Sequence, residues 1–283
     1  MKKLLLLLLV LSSLPLQAAV IGSWAQDEAS GNLIDSTGNH PAGTPVGSPT
    51  YGQAGVPNGT YGSITVSGAA GTSIEYGPST VDEFFNVGTD NNNPILNLDR
   101  TAAFTVMGWI NPFAPTATST YRIVSTGSAA GADRGWGFGL RLNGLDGTGS
   151  SLRFTTYGIA DNDSDAFNIN FNEWIHMAAT YDNGVINYFL NGTALGGSDT
   201  SLFGNESANG RLVIGGRLGG NDVDQANGRL DGILVYNEVL SATQIQDAAA
   251  ANVSVPEPST LFLGTVGTFC LLLWKRRLKI APR

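Results

Sequence analysis

The chain has 283 residues, with 15 Lys and Arg against 23 Asp and Glu, and its charges are unevenly placed. Seven of the basic residues lie in the first three or last nine positions, so Val20 to Ser254 contains no lysine, eight arginines and 22 acids, a formal charge of −14. A surface of that sign makes nucleic acid and acidic membranes poor partners, and with Cys270 as the one cysteine no internal disulfide can hold the fold.

The chain opens on Met1-Lys2-Lys3, an apolar run from Leu4 to Leu11, and small residues at Ala18 and Ala19. Positive start, greasy middle and small-residue end are the three regions of a secretory signal peptide, here residues 1–19 with cleavage after Ala18 or Ala19. Extended to Leu14, the run is only about 11 residues, against the roughly 20 that a spanning helix needs. Residues 20–252 then read as one domain. Its glycine-rich, turn-rich composition and its lack of long helical periodicity predict many short strands.

Tyr51 to Asn97 is rich in Gly, Ser and Asn and is expected to hold extra edge strands and loops. Phe104 to Ile110 is a strand stopped by Asn111-Pro112, and Tyr121 to Val124, Trp136 to Leu142 and Leu152 to Tyr157 follow as strands. Trp174 to Tyr181, Asp182-Asn183-Gly184 and Val185 to Leu190 form a hairpin, with a second turn at Asn191-Gly192, because Asn-Gly supplies the positive φ of tight turns. Arg211 to Ile214 and Leu230 to Tyr236 are the last strands. Ser241-Ala242-Thr243-Gln244 is a capping box that opens a short helix to about Ala251.

Residues 253–283 are a different kind of segment. Val255-Pro256-Glu257-Pro258-Ser259-Thr260 leads into an apolar helix, 261–274, and then into Lys275, Arg276 and Arg277. Basic residues favour the cytoplasmic side, so the helix leaves the domain outside. About 14 apolar residues make a marginal, temporary inner-membrane anchor. Motif, short helix and basic stop together resemble the PEP-CTERM sorting signal of Gram-negative bacteria. That resemblance implies recognition by an exosortase-type membrane protease, cleavage near Pro256, Glu257 and Pro258, and delivery to the cell surface or release, often in species that make extracellular polysaccharide.

The domain's own segments resemble, in order, a LamG-like jelly roll of the concanavalin A-like lectin and glucanase superfamily. The residues that carry the likeness are Trp24 with Asp27-Glu28, Asp35-Ser36-Thr37-Gly38-Asn39-His40, Phe104-Thr105-Val106 with Trp109-Ile110, Trp174-Ile175-His176 with Tyr181-Asp182, and Gly228-Arg229-Leu230-Asp231-Gly232. The fold expected is therefore all-β, a two-sheet antiparallel jelly-roll β-sandwich. Related domains often bind a calcium ion, and the positions that match are Asp35, Asn39 and Asp231. Calcium takes carboxylate, amide and carbonyl oxygens, which suits that set.

Catalysis finds less support. A glycosidase needs two carboxylates flanking the scissile bond, and residues i and i+2 share a strand face, so such an enzyme would show a run like Glu-x-Asp-x-x-Glu. None exists; Asp82 and Glu83 are adjacent and Glu173 stands alone. His40 and His176 have no metal-site spacing. Asp161 to Asp165 imitates an EF-hand loop, but Ala166 replaces its glycine and Asn172 its glutamate, so a solvated loop is expected. Trp109, Trp136 and Tyr157 are aromatic enough for sugar platforms, yet burial is the commoner fate of such rings. The sequence thus points to a non-catalytic surface or biofilm-matrix protein that binds carbohydrate. The alternatives are a structural building block without sugar binding, and a glycoside hydrolase.

Overall fold

The computed structural model describes residues 18–67, 71–77, 82–88, 95, 103–127, 135–200, 211–217 and 224–251. Most of the signal segment and the whole sorting tail, with Pro256, Glu257, Pro258, Lys275, Arg276, Arg277 and the helix 261–274, lie outside the described residues. Contacts divide the chain into two units, Met1–Val253 and Ser254–Arg283. Among the described residues no helix is long and apolar enough to cross a membrane.

In chain order the strands are β1 Val20–Trp24, β2 Thr44–Val46, β3 Thr50–Ala54, β4 Gly59–Tyr61, β5 Ile64–Val66, β6 Thr72–Tyr76, β7 Phe84–Gly88 and β8 Phe104–Pro112. They continue as β9 Ser119–Gly127, β10 Trp136–Leu142, β11 Ser151–Thr156, β12 Ala160–Asp163, β13 Ile175–Asp182, β14 Val185–Leu190, β15 Thr193–Thr200, β16 Arg211–Ile214 and β17 Gly228–Tyr236. The helix α1 follows at Ala242–Ala250. One sheet runs β15-β14-β13-β8-β17-β6-β3, with β1 also on β17, and the other runs β12-β11-β10-β9-β16-β7-β2. Strand pairs in both are antiparallel, giving the expected sandwich.

Alternation along each strand decides what fills the space between the sheets. In β10, Trp136, Phe138, Leu140 and Leu142 are buried in the core cluster, which leaves Gly137, Gly139 and Arg141 on the outer face, since successive side chains point to opposite sides. Trp136 stacks on Phe154 with ring centres 5.7 Å apart, and Phe154 stacks on Tyr181 of the facing sheet at 5.9 Å. Offset aromatic contacts at these spacings add to the area that burial removes from water. The sandwich is held across its middle by large rings.

Strand β8 runs further than expected, to Pro112, which pairs with Gly228 of β17. The missing N–H of proline costs nothing at a strand's last residue, and the Pro112 carbonyl still accepts from the Asn172 N–H at 2.8 Å. The glycine-rich stretch is more than edge decoration. Its Ile74 and Tyr76 in β6, and Phe85 and Val87 in β7, are core residues, and both strands sit inside their sheets.

The outer face of the larger sheet is covered by two small pieces. Helix α1 is capped by Ser241 and Gln244 in the reciprocal box that the sequence predicts, and Leu240 and Ile245 pack on Met107, Ala178, Phe189, Leu234 and Tyr236. The β4–β5 hairpin places Ile64 and Val66 with Trp109 and Trp174, and the Trp109 indole N–H donates to the Ala249 carbonyl at 3.3 Å.

Within the seven-stranded sheet the backbones approach closely at the bulge between β9 and β10, where the register shifts after Phe138. A Cβ on Gly139 would lie 2.3 Å from the Tyr121 carbonyl oxygen and 2.8 Å from the Arg122 Cα. Gly139→Ala is therefore expected to lower unfolding stability by about 1–3 kcal/mol, the usual cost of overpacking, as read from the urea midpoint at constant m-value.

Candidate functional site

The outer face of the seven-stranded sheet is polar, and arginines organise it. On β9 the outward residue Arg122 lies opposite Gly139. With no side chain at Gly137 or Gly139, its guanidinium lies flat on the sheet, donating to the Gly137 carbonyl at 3.2 Å and to the Thr155 hydroxyl at 2.6 Å. It is 3 % exposed, and its Nε lies 3.9 Å from Asp224. Arg217 donates to the other oxygen of Asp224 at 3.1 Å and sits 4.3 Å above the centre of the Tyr157 ring, a favourable cation–π contact. Arg217 and Asp224 are thereby tied down over β9 and β10.

Beside this pair, β11 presents Arg153 to the edge strand β12. Arg153 is gripped by Asp161 and Asp163, with donor distances of 2.7 Å to each. The acidic run expected as a solvated loop is thus partly a strand, because alternation puts Asp161 and Asp163 on the face where β11 offers an arginine, while Asn162 turns inward and donates to the Phe154 carbonyl at 3.2 Å.

Between the two ion-pair groups lies a cavity of about 190 Å³ lined by Thr118, Ser119, Thr120, Arg141, Leu142, Arg153 and Asp224. Of its cations, Arg153 is committed to β12. Arg141 is not: its Nε donates to Asn143 and lies 4.0 Å from Asp163, but among the described residues its two terminal nitrogens have no partner, and its side chain is 34 % exposed. The cavity therefore offers a planar pair of free donors, hydroxyls, and one carboxylate.

The residues matched to a calcium site separate into two groups. Asp35 is buried, and its carboxylate accepts from the backbone N–H of Ser23, Thr37, Asn39 and His40 at 2.9–3.1 Å and from the Thr37 hydroxyl at 2.6 Å. Asn39 donates through its side chain to the Ile21 carbonyl at 3.3 Å. Both tie their loop to β1, and with its oxygens so occupied Asp35 does not fit a metal ligand. No hydrogen bond among the described residues joins either to Asp231.

Asp231 stands in a different environment. It is 4 % exposed, accepts from the Val56 N–H at 3.0 Å, and is raised to about 7, first by desolvation and then by the nearby Asp27 charge. Asp27 accepts from the Thr72 N–H at 2.8 Å. Gly55 and Gly71 let the backbone close on the pair, since a Cβ on either would lie 2.7 or 2.8 Å from a carboxylate oxygen. No cationic side chain reaches Asp231 among the described residues, where no three His, Cys, Asp or Glu side chains converge as a metal cluster.

Comparison with known proteins agrees with this architecture. The sequence profile of the concanavalin A-like lectin/glucanases superfamily matches residues 85–246. The chain belongs to this superfamily. The profile of the PEP-CTERM protein-sorting motif matches residues 254–277, so this lectin-like chain is exported through the inner membrane of a Gram-negative bacterium, processed by an exosortase, and delivered to the cell surface or secreted. No functionally curated protein matches it in sequence. Among solved structures it is similar to domain 4 of AbnA, an extracellular arabinanase from Geobacillus stearothermophilus in complex with arabinotriose, with 19 % identity, a TM-score of 0.53, and coverage of 82 % of this chain and 99 % of that one. It is also similar to a Trypanosoma rangeli sialidase, with 12 % identity and a TM-score of 0.56 over 83 % of this chain, but spans only 33 % of the sialidase.

The histidines and aromatic rings of this superfamily member are structural. His40 stacks on Trp24 with centres 5.5 Å apart, and His176 packs against Trp109 at 5.0 Å. Trp109 and Trp136 are fully buried and Tyr157 is 4 % exposed, so none of the three rings is a free sugar platform. The cavity residues Arg141, Arg153 and Asp224 are absent from the sequence-based site. Their signal was the alternation Phe-Gly-Leu-Arg-Leu and Ser-Leu-Arg-Phe, which puts each arginine outward.

Proposed function

We propose that this exported chain is a non-catalytic carbohydrate-binding protein of the cell surface or extracellular matrix, and that it binds sugar in the cavity over β9, β10 and β11. The observation that carries this reading is the cavity itself, a polar recess on a rigid sheet with unsatisfied arginine donors, hydroxyls and a fixed carboxylate. Sugars offer many hydroxyls to such groups, and sites held by strands are positioned more accurately than sites on loops. Domain 4 of AbnA, of the same fold, has been crystallised with arabinotriose, which gives the reading a precedent in kind.

Hydrolysis would need a pair of carboxylates free to act as acid and as base or nucleophile. The one carboxylate lining the cavity among the described residues, Asp224, is held by Arg217 and lies beside Arg122, and Asp161 and Asp163 are held by Arg153. That arrangement favours binding over bond cleavage.

Calcium belongs to the same proposal. Asp231 with Asp27 would hold it, in place of Asp35 and Asn39, and the ion would supply the positive charge that the buried pair lacks.

A glycan array tests the sugar reading. Retention on a subset of glycans, competed by the soluble sugar and lost in Thr118→Trp, is the expected result. Thr118 is exposed at the cavity wall, so a large ring there should fill the recess without touching the core. Uniform silence across the array would leave a structural building block.

A further inference from the structure

We infer that the ligand of this cavity is an acidic sugar, a uronate residue of an anionic polysaccharide whose carboxylate is taken by Arg141. The inference rests on the carbohydrate reading above and narrows it. Its first support is where the positive charge goes. The exported domain has no lysine and eight arginines among 22 acids. Four of those arginines, Arg122, Arg141, Arg153 and Arg217, converge on one sheet face with three carboxylates, Asp161, Asp163 and Asp224. These seven groups, counted among the described residues, sum to one positive charge inside a domain at −14.

The second support is which arginine is left over. Arg153 gives three donors to Asp161 and Asp163, and Arg217 and Arg122 share Asp224. Arg141 keeps both terminal nitrogens for a ligand and lines the cavity. A guanidinium fork matches a carboxylate in two parallel hydrogen bonds, stronger and more directional than bonds to a neutral hydroxyl. The third is what the cavity lacks. No aromatic ring lines it among the described residues, so a neutral sugar finds no stacking surface among them.

Size sets how much of a chain can enter. At about 190 Å³ the recess is smaller than the roughly 300–1,000 Å³ of pockets for drug-sized ligands. It holds one sugar residue, and the rest of the polymer lies along the surface. Repulsion from acids farther away than the screening length, about 8 Å in physiological salt, is weak, and the nearest ones, Asp163 and Asp224, are paired with arginines.

The test is calorimetric titration of the full chain, in mild detergent and 0.15 M NaCl, with oligoglucuronate, oligogalacturonate and oligomannuronate and with the carboxyl-reduced, neutral form of each. At least one uronate should bind tenfold or more tighter than its reduced form. Arg141→Ala should remove that advantage, and Arg141→Lys, which keeps the charge and loses the fork, should recover only part of it. Arg141 is partly exposed and bonds only to Asn143, so both variants should fold. Equal binding of acidic and reduced oligomers, or a uronate preference untouched by Arg141→Ala, overturns the acidic assignment while leaving carbohydrate binding in place. If these oligomers and the neutral array glycans are all unbound, both readings fall together.

Discussion

In excess chelator at pH 8, Asp231→Asn should unfold at a higher temperature than the parent chain. Burial and the Asp27 charge raise the Asp231 carboxyl from 3.8 to about 7, so at pH 8 the folded protein carries a buried, ionised group without a cation. Because the folded value is the higher one, the stability this group contributes is complete below pH 3.8 and is lost as pH rises through about 7. The loss is worth up to roughly 4 kcal/mol, and the uncharged amide avoids it. Calcium should act unequally on the two proteins. An ion that binds only the folded state raises its stability, so the parent should gain several degrees on adding calcium at pH 8 and Asp231→Asn should gain little. A parent indifferent to calcium would sink the proposed ion pairing, and a variant less stable than the parent in chelator would sink the buried-charge argument. Asp35→Asn provides a contrast. It turns one of two oxygens that together accept five hydrogen bonds into a donor and should destabilise the loop whether or not calcium is present.

The Asp35 loop also shows where the sequence stops being legible. An Asp followed by Thr, Gly and Asn within five residues can turn its carboxylate toward a cation or back onto its own amides, and the residue types are the same in both cases. Only the positions of the Ser23 and His40 N–H groups decide between them. Strand and cap assignments were readable because their physics is local. The alternation from Trp136 to Leu142, the Asn-Gly turns with positive φ at Asn183 and Asn191, and the Ser241–Gln244 box each need only a few neighbours. The cavity needs residues 118–120, 141, 153 and 224 brought together by pairing across three strands and by the placement of Asp224 beside them. Nothing in their spacing announces that meeting. What the sequence did carry was the absence of lysine, which leaves arginine as the domain's only permanent cation and makes each outward arginine on a strand worth following.

The second large effect belongs to His176, and it has the opposite pH dependence. Its position on β13, opposite Trp109 of β8, puts it where the β4–β5 hairpin and the end of α1 close over Trp109 and exclude water. The ring is 1 % exposed, its Nδ1 has no partner, and desolvation lowers it from 6.5 to about 3. It is neutral in the folded protein at neutral pH. Unfolding releases it to water, where it takes a proton below pH 6.5, so its contribution is present above 6.5 and is lost as pH falls through about 3. At pH 4 the loss should reach about 3 kcal/mol. His176→Leu, close in volume and without a proton site, should therefore lose less stability than the parent between pH 7.5 and pH 4, measured as the shift in urea midpoint at each pH. Asp231 and the surface carboxylates titrate alike in both proteins, so comparing their pH dependences isolates the histidine. If both lose the same amount, His176 reaches water or a partner in the folded state, and the hairpin and helix do not seal that face of the sheet.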